Sequence, residues 1–132
     1  MKIAAYLVAV LALMLAACSP SVPADATLAG QKPSIYPDYD SVTIPANIAP
    51  LNFDINEPGE AYVTRLRAGD QELVVSGKTA QFDIDKWHAL LDGNSHVEAD
   101  VFVKRDGKWL QFSPIAFTVA EEIDPYISYR LI

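Results

Sequence analysis

The chain holds a single cysteine, Cys18. No intramolecular disulfide can form, so packing and hydrogen bonding must hold any fold together. Cations are also in the minority, with 10 Lys and Arg against 17 Asp and Glu and a net charge of −7. A nucleic-acid binder needs clustered Lys and Arg to neutralise phosphates, and a protein held on anionic lipid by its surface alone needs a basic patch. The composition speaks against both. Past Met14 no apolar run approaches the roughly 20 residues of a spanning helix. There is no glycine-rich phosphate loop, no Gly-x-Ser-x-Gly elbow and no internal repeat. These absences remove the best-marked enzyme classes. The length of 132 residues allows one domain with one modest core.

What is present begins with the leader. Lys2 is followed by an apolar run from Ile3 to Met14 and then by Leu15-Ala16-Ala17-Cys18. That order resembles a bacterial lipoprotein signal peptide, with Leu-Ala-Ala-Cys as the lipobox. The resemblance implies cleavage after residue 17, diacylglycerol on the Cys18 sulfur, and a membrane partner reached through that lipid. An ordinary secretory signal with an incidental cysteine is the other reading. Ser19, rather than aspartate, follows the cysteine, which by the same resemblance implies delivery to the outer membrane. Residues 18–34 are small and proline-rich without apolar period, the composition of a flexible tether.

From Ile35 the pattern changes to short alternating runs. Val42–Pro45 reads as an edge strand ended by proline. Leu51–Ile55, Tyr62–Ala68, Glu72–Val75, Ala80–Ile84, Val97–Val103, Trp109–Phe112 and Ile115–Val119 follow, separated by turn residues. Asp106-Gly107 is a hairpin signal. One short helix interrupts the strands, with Asp85 as N-cap, Trp87, Leu90 and Leu91 on one face, and Gly93 as the stop. Val97, Ala99, Val101 and Val103 should face inward, and Trp87 and Trp109 are candidate core aromatics. This spacing predicts an all-β domain over 35–125, an immunoglobulin-like β-sandwich of about seven strands with one helix. Residues 126–132 form an apolar exit segment suited to meeting a sheet edge, a following domain or an envelope partner.

Pro37-Asp38-Tyr39, Val42-Thr43-Ile44-Pro45-Ala46-Asn47-Ile48-Ala49-Pro50-Leu51-Asn52-Phe53, Val74-Val75-Ser76-Gly77-Lys78, Ile123-Asp124-Pro125-Tyr126 and Tyr129-Arg130-Leu131-Ile132 together carry a resemblance. They look like the N-terminal region of large bacterial envelope lipoproteins of the TolB-like β-propeller type, sometimes labelled cytochrome c biogenesis proteins. Those proteins continue into a Cys-x-x-Cys-His haem motif and a propeller. This sequence has neither, so the resemblance implies only a lipid anchor, a tether and a sandwich, with no cofactor.

The polar constellations are thin. His88 and His96 could join Asp92 or Asp100 around a metal, but without close ligand spacing they read as surface residues. Asp83 with Asp85, and Glu98 with Asp100, have the composition of acid–base pairs. Strand alternation puts Glu98 and Asp100 on an outward, solvated face. Asp54, Asn56 and Glu57 lack a calcium loop around them. Tyr36, Tyr39, Tyr126 and Tyr129 flank the domain and could form a sugar- or peptide-binding platform. The sequence thus points to a non-catalytic, lipid-anchored interaction module of the envelope. The alternative is a lipoprotein that binds carbohydrate or peptide through those aromatics, and an enzyme comes third.

Overall fold

The structure is a computed structural model that describes residues 2–7, 20–124 and 126. Residues 2–7 are helical (α1). Ten strands follow: β1 Thr27–Leu28, β2 Ile35–Tyr36, β3 Thr43–Pro45, β4 Phe53–Ile55, β5 Ala61–Ala68, β6 Gln71–Ser76, β7 Thr79–Ala80, β8 His96–Arg105, β9 Lys108–Gln111 and β10 Ile115–Ala120. One helix, α2 Ile84–Leu91, lies between β7 and β8. Among the described residues, no helix is long and apolar enough to cross a membrane.

The larger sheet is organised around β8. β5 pairs antiparallel along one side of it, from Lys104 to Glu98, and β6 continues outward from β5. The other side is shared. β9 lies opposite Phe102–Arg105 and β10 opposite His96–Ala99. The chain breaks between them at Ser113-Pro114, where proline cannot donate to a ladder, while the Phe112 N–H still reaches the Val101 carbonyl at 3.0 Å. Two parallel strands close that edge, β1 against β9 and β3 against β10. The smaller sheet is β2-β4-β7, all antiparallel.

One apolar cluster joins both sheets and α2. Val97, Ala99, Val101 and Val103 of β8 are fully buried, as strand alternation requires. Ile35, Phe53, Ile55 and Ala80 come from the small sheet. Trp87, Leu90 and Leu91 plug the core from α2, and a ladder of rings runs Phe53–Phe82–Trp87–Phe117 with centroid spacings of 6.2, 5.8 and 5.9 Å. The buried Trp87 indole N–H is satisfied by the Ile48 carbonyl at 3.1 Å.

Several sequence expectations shift. The N-cap is Asp83, not Asp85: Asp83 has extended backbone, and its Oδ1 accepts from the N–H groups of Asp85 and Lys86. Asp85 instead sits in the first turn, where a carboxylate complements the helix dipole. The strand expected over Ala80–Ile84 is confined to Thr79–Ala80, because the cap at Asp83 commits Ile84 to the helix. Trp109 is only half-buried and leaves the core. It lies opposite Lys104 rather than Val103, so its parity puts it on the outer face. Strands among the described residues number ten rather than seven, because two-residue pairings such as β1 and β2 have no apolar period to announce them. The segment read as a flexible tether is docked from Thr27 onward. β1 joins the sheet, the Ser113 N–H donates to Gln31 O, the Ser34 N–H donates to Glu57, and Pro33 is buried.

Replacing Trp87 with alanine should destabilise the domain by about 3–5 kcal/mol, as expected for truncating a fully buried large aromatic. Urea unfolding checks this, and a change of less than about 1 kcal/mol would place Trp87 outside the core.

Candidate functional site

Cys18 and Tyr129 lie outside the described residues. Of the other tyrosines, Tyr36 on β2 is 70 % exposed and Tyr126 is 84 % exposed, whereas Tyr39 packs half-buried against the core. Among the described residues no ring contact joins Tyr36, Tyr39 and Tyr126. The chain leaves β10 under a specific restraint. The Asn47 side-chain amide donates to Ile123 O at 2.8 Å, and its oxygen accepts from the Ile123 N–H at 3.1 Å. That reciprocal pair imitates one rung of a strand ladder and fixes the direction of the exit.

The outer face of the large sheet carries a group that sequence parity located but misjudged. Asp100 does point outward, yet it is 1 % exposed. Arg65 and Glu98 stand on adjacent lanes, with Arg65 directly opposite Asp100 and Arg67 directly opposite Glu98. Arg67 Nε reaches Asp100 Oδ2 at 2.6 Å, and its Nη2 bridges Glu98 Oε2 at 2.7 Å and Asp100 Oδ1 at 3.1 Å. Arg65 Nε adds a bond to Asp100 Oδ2 at 2.9 Å, and its guanidinium stacks over Phe102 at 5.7 Å. The long arginine side chains lie against Asp100 and help take it out of water. The hydrogen bonds that Arg67 donates to Asp100, outweighing the cost of burial, push its guanidinium further into its charged form. A carboxylate engaged on both oxygens by two guanidinium groups is poorly placed to take a substrate proton, so this cluster is structural in chemistry. Opposed Arg and Asp/Glu positions on neighbouring alternating strands are the signal that could have revealed it.

The histidines do not converge. His88 is exposed on α2, with Nε2 3.1 Å from Ile48 O, and His96 is exposed with Nε2 3.7 Å from Glu98 Oε1. Among the described residues no group of three His, Cys, Asp or Glu could hold a metal ion. A groove of about 460 Å³ runs between the C-terminal end of α2 and the exit, lined by Asn47, His88, Asp92 and Glu122 among others. A smaller one of about 300 Å³ lies between α2 and β6. Asp54 is engaged by Thr79 Oγ1 and Glu57 by the Ser34 N–H, so neither is arranged around a calcium site.

Asp40 anchors the docked N-terminal segment. Its carboxylate takes a short bond from the Lys32 ammonium and a 3.1 Å bond from the Ala116 N–H. The Lys32 hydrogen bond, set against partial burial and helped by the Ala116 N–H, holds the Asp40 pKa below its ordinary value of 3.8.

Two outcomes follow from these contacts. Asp100→Asn should cost about 1–3 kcal/mol in urea unfolding, below the figure for fully buried pairs because both arginines keep partial access to water. For Asp40 the folded pKa lies below the unfolded one. Its contribution to stability is therefore complete above about pH 4 and is lost as pH falls through the lower folded value. Asp40→Asn should lower stability at neutral pH and reduce the loss seen between neutral and strongly acid pH; an unchanged acid profile would remove this role. Against this geometry, no family model, no curated protein and no solved structure matches the chain.

Proposed function

We propose that this protein is a non-catalytic, lipid-anchored interaction module of the bacterial cell envelope, sorted to the outer membrane and related in plan to the leading domain of TolB-like lipoproteins. The observation that carries the reading is the only cysteine standing at the lipobox position after a basic residue and a short apolar run. The docked N-terminal segment supports it. Only residues 19–26 separate Cys18 from β1, so the sandwich would sit close to its anchor.

The immunoglobulin-like reading of the sandwich is supported by the strand order. A small β2-β4-β7 sheet faces a larger one in which β6, β5, β8 and β10 follow in turn and β3 joins β10 in parallel. A helix fills the crossover between the sheets, and no disulfide is involved. The interaction role is assigned to the end from which the chain leaves, where Ile123 and Tyr126 are exposed near Asn47 and the apolar segment 126–132 begins. A following domain or an envelope protein is the partner chemistry that such a segment fits.

In a host that processes lipoproteins, the wild type should be recovered in the membrane fraction with an acylated Cys18 at its N-terminus by mass spectrometry. Cys18→Ala should move it to the soluble fraction. A soluble wild type beginning at another residue would refute the reading.

A further inference from the structure

Among the described strands of the larger sheet, β6 is the one long strand with a bare edge. β5 lies between β6 and β8, β1 runs along β9, and β3 runs along β10. The other edge strands, β1, β2, β3 and β7, are two or three residues long. β6 runs for six residues, Gln71–Ser76, in unbroken register with β5. It carries no proline, no lysine and no bulge, the devices that keep a bare edge from pairing.

The phase of the ladder shows which backbone groups this edge offers. The Gly77 N–H donates to Tyr62 O at 3.0 Å. Hydrogen-bonded pairs alternate along an antiparallel ladder, so Val75 with Thr64, Leu73 with Leu66 and Gln71 with Ala68 are bonded as well. Glu72, Val74 and Ser76 therefore aim their N–H and C=O groups away from β5. Among the described residues no backbone group takes them up.

We propose that this edge is where two copies of the chain pair, antiparallel about a two-fold axis through Val74. That register uses all three outward positions. Val74 meets Val74 of the second copy, and Glu72 meets Ser76, so each outward N–H finds a carbonyl. A two-fold at Glu72 would instead set one carboxylate against another. Charge complements the pairing. β6 is entered from Asp70 and left toward Lys78, both exposed, so the antiparallel arrangement brings the acidic end of one copy to the basic end of the other. Leu73 and Val75 are half-buried and pack against the core cluster. Across the axis each meets the other's counterpart on the inner face, which carries the apolar row from one sheet into the next. A groove of about 300 Å³ between α2 and β6, with Leu73, Ala89 and Leu90 in its lining, leaves room there for the partner's Val75. The two-fold consumes both bare edges, so the assembly closes at two copies. The contact is small, which places it in the weak, transient class. It needs no lipid on Cys18.

Sedimentation equilibrium of the full chain in density-matched mild detergent, at up to roughly 100 µM protein, reads the protein mass directly. The wild type should approach the mass of a dimer. Val74→Pro removes the central outward N–H and should give a monomer, with urea unfolding to confirm that the domain still folds. Asp70→Lys and Lys78→Asp, both at exposed positions, should each weaken association by about fivefold or more, since the two-fold counts every change twice. Asp70→Lys combined with Lys78→Asp should restore it. A wild type that stays monomeric overturns the proposal. So does a dimer whose mass is unchanged in folded Val74→Pro and in both single charge reversals, because its interface would then lie elsewhere.

Discussion

Everything in the large sheet depends on β8 being buried on both faces. Its inner row of Val97, Ala99, Val101 and Val103 is the floor of the core, and three other strands take their register from it. Its outer row holds Asp100 and Phe102, each 1 % exposed. A lone carboxylate in that position would cost several kcal/mol. Arg65 and Arg67 of the adjacent strand offset the cost by covering Asp100 with charged, hydrogen-bonded groups, and Arg65 also covers Phe102. The arginines shield the central strand at Asp100 and Phe102, and its register against β5 is fixed, because slipping by one residue would put the arginines against the core.

A domain of this size without a disulfide must recruit whatever chain is at hand. Here the N-terminal segment serves. Its apolar content is low, so hydrogen bonds and one ion pair attach it: two ladder positions of β1, the Gln31 and Ser34 bonds, and Lys32 on Asp40. Each is modest alone, about 0.5–1.5 kcal/mol net. Together they convert a stretch of small residues and prolines into the edge of a sheet. The same attachment covers the backbone of β9 that would otherwise be open to pairing with another chain.

The path of the chain is directional. A chain that joins the sandwich beside the β8–β9 hairpin and leaves past Asn47 crosses the whole domain. The aromatic ladder through Trp87 packs the middle of that path, and the Asn47–Ile123 pair holds the chain at the exit. The groove at the C-terminal end of α2 is lined by His88, Asp92 and Glu122 among others.

The sequence alone determined the mainly β character, the inward row of β8, the Asp106-Gly107 hairpin and the burial of Trp87, Leu90, Val101 and Phe117. These are properties of period and turn chemistry, which act over a few neighbouring residues and leave their mark in the order of side chains. The fate of Asp100, the outward place of Trp109, the strand order, and the docking of residues 27–34 were decided only by tertiary structure. Alternation says which way a side chain points but not whether another side chain will lie over it. Backbone hydrogen bonds between distant segments leave no trace in side-chain identity, so β1 appears only when β9 is laid beside it.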